Sequence, residues 1–321
     1  MKLLVTNDDG INSVFFHALV RALKAAGHEL YVVAPLTEQS WTGASKTRHR
    51  TVQSAVADHG FGCPTWTVDG TPSDCVNIAI AHLLPRKVDA VVSGINVGFN
   101  CTLGFIIASG TVSAALEGTL HGLPAMAFSQ DVSEGVYYDL KEHGGKPGAE
   151  LSATLGHSAA HAARLAGELL PQTPPRSFTV HNINFPFPCR SETALKPTVP
   201  AHFFVPGLFT PPDADGRHKL IWCEGEDVSP PELLTDLKCI EAGAISHSVL
   251  DYRKLGHSYG RASPPDEPAL KTDCHSERSA GAWLVHARAR SSRAPAILSR
   301  LERINLKCSH ERTHRAQRRL V

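Results

Sequence analysis

The chain opens with a short apolar run, Leu3-Leu4-Val5, that stops at Thr6-Asn7-Asp8-Asp9-Gly10. Residues 2–6 read as a β-strand. From Ser13 to Ala26, Phe15, Leu19, Ala22, Leu23 and Ala26 recur at helical spacing, and Gly27 ends that helix. Leu30 to Ala34 form a second apolar run, closed by Pro35. The polar stretch 37–50 is too long for a minimal turn and reads as a functional loop. Thr65 to Val68 predict another strand and Asp69-Gly70 a turn. Thr71-Pro72-Ser73-Asp74 is a capping box with proline at the first helical position, so a helix follows to about Leu84. Val88 to Val92 predict a buried strand, Val112 to Leu120 a helix and Ala125 to Phe128 a strand. This alternation predicts an α/β fold with a doubly wound, mostly parallel sheet.

The middle of the chain is less regular. Leu151 to Leu170 predict a long alanine-rich helix, ended by prolines between 171 and 175, and Ser177 to His181 a strand. Residues 184–232 are rich in proline and suit an excursion such as a hairpin arm, of the kind that often serves subunit contacts. Leu233 to Glu241 return to helix and Ala244 to Leu250 to strand. No internal repeat emerges.

Charge divides the chain. Its formal net charge is +1, but residues 1–260 carry 19 Lys and Arg against 25 Asp and Glu, and residues 261–321 carry 13 against 6. A net of −6 followed by +7 marks a boundary, placing a main domain at 1–255 and a basic, weakly structured extension at 256–321. A basic tail is a possible contact for RNA, although only Trp283 interleaves an aromatic ring with its arginines. The eight cysteines show no CxxC spacing, and a chain of 321 residues needs no disulfide staples. No apolar stretch approaches the roughly 20 residues of a membrane span, and the amino terminus lacks a signal-peptide apolar region. The expectation is a soluble cytoplasmic protein with reduced thiols.

Chemistry gathers where three strands end. In a parallel sheet the loops after them share one edge, which is where such sheets bind ligands. The first loop holds Asp8 and Asp9, the second Ser40, and the third Asn96 and Asn100. Two adjacent carboxylates repel unless a proton or cation intervenes. Two carboxylates, a hydroxyl and amides are hard oxygen donors, suited to one divalent Mg²⁺ or Mn²⁺ and poorly suited to zinc. Ser109-Gly110-Thr111 stand immediately before a helix, where free backbone amides make an anion site. Gly43, Ser45 and Lys46 are candidates to close the pocket with a hydroxyl and a cation. The 18 histidines show no HExxH arrangement, and the chain lacks a Walker GxxxxGK[ST], a GxGxxG after its first strand and a DxDxT signature. A receiver domain would need an aspartate at the end of its third strand, where Val92-Ser93-Gly94 stand here.

The assembled motifs are LLVTNDDGINS (3–13), VVAP (32–35) with Ser40 and GAS (43–45), VDGTPSDCV (68–76), VVSGINVGFN (91–100), SGTVSAALEG (109–118), GLPAMAFS (122–129) and NINFP (182–186). Over residues 1–250 the set resembles the SurE family of metal-dependent survival-protein nucleotidases. The resemblance implies a Rossmann-like core, a protruding arm that helps build homodimers or homotetramers, and a divalent-metal phosphomonoesterase acting on nucleoside 5′- and 3′-monophosphates. Some members also cleave short polyphosphate. It implies Asp8, Asp9, Ser40 and Asn96 as metal ligands, and Asn100, Ser109, Gly110 and Thr111 on the phosphate side. Val14-Phe15, Leu36 and Ala108 depart from the family pattern. The reading that follows is hydrolysis by a metal-activated water, with Asp8 open to a nucleophile or base role instead. Two alternatives stay beside it: a polyphosphate-preferring phosphatase, and a non-catalytic nucleotide- or RNA-binding protein of the same fold.

Overall fold

The computed structural model describes residues 1–142, 145–221 and 225–255. The basic extension expected at 256–321 lies outside the described residues.

The first strand, β1 (Lys2–Thr6), leads into α1 (Val14–Ala25) and β2 (Glu29–Pro35). Then come β3 (Ser54–Val56), β4 (Thr65–Val68), α2 (Pro72–Ile78) and β5 (Ala90–Val97). They are followed by α3 (Leu103–Ala108), α4 (Gly110–Leu120), β6 (Ala125–Gln130), α5 (Glu134–Glu142), α6 (Ala149–Leu169) and β7 (Thr179–Phe185). After them come β8 (Leu195–Thr198), β9 (Phe203–Phe204), β10 (Glu226–Asp227), α7 (Asp236–Glu241) and β11 (Ile245–Asp251).

One sheet runs in the order β3-β4-β2-β1-β5-β6-β7-β11-β8, and its six strands from β4 to β7 are mutually parallel. The expected doubly wound sheet is therefore present. Alternate side chains serve two cores, which explains why its central strands read as unbroken apolar runs. Leu3, Val5, Leu30 and Val32 join α1 and α6 on one face, where Phe15, Phe16, Leu19 and Leu155 are buried. Leu4, Val33, Val68 and Val91 join α2 and α4 on the other, with Val76, Val112 and Ala115. Chain winding reverses between β1 and β5. That switch opens a crevice beyond their carboxyl ends, the ligand position of such sheets.

Three strands outrun their apolar cores. The sequence places strand ends at Val92, Phe128 and His181, whereas β5, β6 and β7 continue to Val97, Gln130 and Phe185. The added residues include Ser93, Asn96, Ser129, Gln130, Asn182 and Asn184, all buried. Polar side chains lie inside there because the strand ends build the crevice, and a hydrophobic pattern does not register them. Three short elements, β3, α3 and α5, were not foreseen; β3 is wholly exposed and α5 has mainly polar residues. The last helix starts at Asp236 rather than Leu233, with the Thr235 hydroxyl accepting from the Lys238 N–H as its cap.

Within 184–232, β8 returns to the main sheet beside β11. The excursion proper is narrower. Phe203–Phe204 pair antiparallel with Glu226–Asp227, and a bridge joins Phe209 to Leu220. Phe204 and Phe209 stay largely exposed on this ribbon. Among the described residues no helix is long and apolar enough to cross a membrane.

Candidate active site

Three loops and one helix terminus converge on the crevice. The loop after β1 is tied to the loop after β2 through backbone: Ile11 N–H donates to the Pro35 carbonyl at 2.9 Å and Gln39 N–H to the Asp8 carbonyl at 2.7 Å. Gly10, at φ +88°, faces the Thr37 backbone so closely that a Cβ would stand 3.1 Å from it. In β5 the register with β6 shifts between Ser93 and Asn96, around Gly94 at φ +119°. A Cβ at Gly94 would collide with the Phe128 carbonyl. Glycine permits this bend, and Asn96 then lines the crevice.

Asp8 is buried against α4. The Thr111 hydroxyl donates to Asp8 Oδ1, and a Cβ on Gly110 would lie 2.8 Å from the Asp8 Cβ, so only glycine lets the helix start so near the carboxylate. Burial raises the Asp8 pKa to about 6, against the opposing pull of the Thr111 hydroxyl and backbone N–H. Asp9 accepts from the Val97 N–H at 2.9 Å. Burial and then the charge of Asp8 push its carboxyl well above the usual range. Asn96 Nδ2 donates to the carbonyls of Val97 and Gly98, at 3.2 and 2.8 Å, which leaves its Oδ1 as the atom for a ligand.

Asn100 is fixed by polar side chains at the extended ends of β6 and β7. Its N–H donates to Asn184 Oδ1 at 2.7 Å, its Nδ2 to Ser129 Oγ at 2.8 Å, and its carbonyl accepts from Asn182 Nδ2 at 2.9 Å. The asparagines of NINFP thus support the site from β7. Ser109 caps α4, its Oγ accepting from the Val112 N–H at 3.1 Å.

A cavity of about 660 Å³ occupies the crevice, and Asp8, Ser40, Asn96, Asn100 and Ser109 line it. Asp9, Gly110 and Thr111 are not part of this lining; Thr111 and Gly110 pack against Asp8, and Asp9 is held by the Val97 N–H. Gly43 and Ser45 do not line it. Gly43 instead donates its N–H to the Ala108 carbonyl at 3.0 Å, and the Ser45 carbonyl accepts from the Thr71 hydroxyl at 2.8 Å. Lys46 is drawn elsewhere, into a 2.5 Å ion pair with the buried Glu117 of α4. Two acidic residues were missed, Glu38 and Asp131, both in the lining. Glu38 had a signal, standing two residues before Ser40; Asp131 had none beyond its place just after a strand.

Among the described residues no group of three or more His, Cys, Asp or Glu is placed to hold a metal ion. The donor set fits a hard divalent ion. Thr6 Oγ1 and Asn7 Oδ1, which precede the carboxylate pair in the chain, and Ser93 Oγ, on the β5 residue in register with Thr6, are buried with no hydrogen-bond partner.

The family model described as "Survival protein SurE" matches residues 3–202. The chain belongs to the SurE family. It is 47% identical over 130 residues to a 5′-nucleotidase SurE of Desulforudis audaxviator, a match covering 40% of this chain and 50% of that protein. The chain thus spans about half the length of the first relatives it matches. Against 5′-nucleotidase SurE 1 of Thermus thermophilus it is 36% identical over 265 residues, covering 81% of this chain and 95% of the relative. The crystal structure of the SurE protein from Aquifex aeolicus aligns at a TM-score of 0.58 and 29% identity, covering 78% of this chain and 93% of that one. The SurE departures have visible settings. Leu36 is exposed, Val14 packs at the edge of a core, and Ala108 lines the cavity.

Proposed function

We propose that this SurE-family protein is a divalent-cation-dependent phosphomonoesterase acting on nucleoside 5′- and 3′-monophosphates. One observation carries the reading: the described residues lining the cavity include the carboxylates Asp8, Glu38 and Asp131 and no lysine, arginine or histidine. A phosphate dianion does not enter such a site unaided. Asp8, Asp9, Ser40 and Asn96 would hold one Mg²⁺ or Mn²⁺. When bound, the ion neutralises the carboxylate pair, draws charge from the phosphoryl oxygens and lowers the pKa of a water molecule for attack.

The protein's own groups do the rest. The Thr111 hydroxyl and N–H hold Asp8 in one orientation. The amino terminus of α4 directs its partial positive charge at the same point, where negative charge gathers on the phosphoryl oxygens. Ser109 and the tethered Asn100 flank that point on the cavity wall. We further infer that the β9–β10 ribbon joins copies of the chain into a dimer or tetramer. The free thiols of Cys63, Cys75, Cys101, Cys189 and Cys239 support a reducing, cytoplasmic setting.

The test is phosphate release from AMP, GMP, 3′-AMP and short polyphosphate with Mn²⁺, Mg²⁺ or EDTA. Metal-dependent release is expected, and Asp9→Asn should lower kcat/KM by about a hundredfold or more while the folded fraction is unchanged. Turnover in EDTA, or near-wild-type turnover by Asp9→Asn, contradicts the assignment. Absence of release under every condition from folded protein favours a nucleotide-binding role.

A further inference from the structure

Two histidines that the site does not use meet across β7 and β11. In the antiparallel register of these strands His181 stands opposite Val249 and His247 opposite Ile183, so both rings share the sheet face that α6 covers. His181 Nδ1 and His247 Nε2 are 2.9 Å apart and the ring centroids 5.1 Å, so the rings meet end on rather than stacked. On its other side His181 Nε2 lies 2.8 Å from the Thr173 hydroxyl, which lies 2.8 Å from the carbonyl of Leu169, the last residue of α6. The place of every proton in this row follows from its final member. A carbonyl only accepts, so the single Thr173 proton goes to Leu169 and the Thr173 oxygen accepts from His181 Nε2–H. In neutral His181 that leaves Nδ1 bare, to accept from His247 Nε2–H. His247 Nδ1 is the open end, with no hydrogen-bond partner among the described residues. One further proton fits there. A second must enter on His181 Nδ1, where it faces the His247 N–H and breaks the bond.

We propose that this row is an acid-opened latch, which fastens β11 to β7 and to the end of α6 while both histidines are neutral. The positions opposite the rings, Met126, Val249, Ile183 and Pro197, are uncharged. Charged groups on the surrounding elements are engaged elsewhere. On α6, Glu168 pairs with Arg164, His161 bonds the Arg190 carbonyl and His157 lies toward Glu192. Arg176 packs over Gly122, Asp251 pairs with Arg253, and Tyr252 joins the α2–α4 core. Lys196 of β8 points to the opposite sheet face, toward Cys239 of α7. Burial first, and then the charge of His247, lower the His181 pKa to about 4, and burial lowers that of His247. Release also reaches the cavity. β11 packs against α7, whose Asp236 accepts from the Thr102 and Ala201 N–H groups at 3.0 and 2.9 Å, and Thr102 stands two residues after Asn100 in the cavity wall. The latch stands whether or not the site hydrolyses phosphate esters.

The experiment compares thermal unfolding of wild type and of the His181→Leu/His247→Val variant, whose apolar pair takes up no proton, at pH 7.5 and pH 5. Because the folded pair binds protons less readily than the unfolded chain, its stabilising effect is complete above about pH 6.5 and is lost as pH falls toward 4. Between the two pH values the wild-type melting temperature should fall by about 5 °C more than the variant's, with Asp236 present in both and cancelling. His247→Gln, whose amide donates but does not titrate, should keep wild-type stability at pH 7.5. Imidazole nitrogen-15 spectra of wild type should show His181 with its proton on Nε2 and Nδ1 bare down to pH 5. Protection of the Thr102 and Ala201 amides, corrected for intrinsic exchange, should drop at pH 5 in wild type and hold in the double variant. Equal pH dependence of unfolding in both proteins, or a His181 that titrates near 6.5, overturns the latch. Equal amide protection in both overturns the route to the cavity. If the double variant does not fold, the His181 nitrogen shifts decide alone.

Discussion

At the scale of single residues, the site is a like-charge pair kept where water is scarce. Asp8 titrates near pH 6 in the folded protein, against an ordinary value of 3.8. The native state therefore binds a proton more tightly than the unfolded chain. Its stabilising contribution is complete below about pH 3.8 and is lost as pH rises through 6, by roughly 3 kcal/mol at most. In EDTA, thermal unfolding of wild type minus that of Asp8→Asn should drift against the wild type between pH 4 and 7. A flat difference would mean that Asp8 is not desolvated. That Asp8, Ser40 and Asn96 would meet in one crevice was legible, because each lies at or beyond the carboxyl end of an apolar run in a parallel sheet. The share of Trp41, Phe99, Phe105 and Tyr138 in the cavity lining was not, since only tertiary folding brings positions so scattered to one wall.

At the scale of elements, local rules held wherever both partners are near in sequence. The capping box is present: Asp74 N–H donates to the Thr71 hydroxyl at 3.1 Å, and Thr71 N–H returns to Asp74 Oδ2 at 2.9 Å. Asp74 also accepts from Thr47 N–H, so the cap of α2 anchors the loop that carries Ser40. Asp74→Ala should cost about 1–2 kcal/mol in denaturant unfolding and should raise proteolytic cleavage within 41–50. A second constraint was invisible in sequence. Gly118 brings α4 against β5 so closely that a Cβ would stand 2.5 Å from Val91 Cγ2. Gly118→Val should destabilise by about 2 kcal/mol or more and lower activity, because the helix that moves also positions Asp8. A Gly118→Val protein with wild-type unfolding would remove that account. The unforeseen polar ends of β5, β6 and β7 belong here too, where hydrophobic periodicity stops and buried asparagines take over.

Over the whole molecule, the alternation of apolar strands and helices was enough to predict the sheet, while the excursion in 184–232 was only partly legible. Its prolines signalled irregularity, but the return of β8 to the sheet depends on β11, about 50 positions later. The ribbon exposes Phe204, Val205, Phe209 and Ile221, and Leu220 at its edge also lines the cavity. If the ribbon joins subunits, Phe204→Ser with Phe209→Ser should convert the oligomer to monomer by light scattering, with a change in unfolding free energy below about 0.5 kcal/mol. A doubly substituted protein of unchanged mass would place the contact elsewhere.

The strand order has a further consequence, for the chain as it leaves the ribosome. Asp8 and the residues Gln39, Gly110 and Thr111, which pack or bond against it, are encoded before position 112, with β1 ahead of its neighbour β5, whose Ala90 pairs with Leu3. Beyond β6, the sheet is completed by strands that begin at residue 179. Synthesis thus delivers the contacts of Asp8 early, and the rest of the cavity wall and the closure of the sheet late. Until β7 arrives, the edge of β6 has no partner on that side, and an unpaired strand edge is a template for pairing with another chain. Slow translation between residues 130 and 179 would lengthen that exposure and favour chaperone capture.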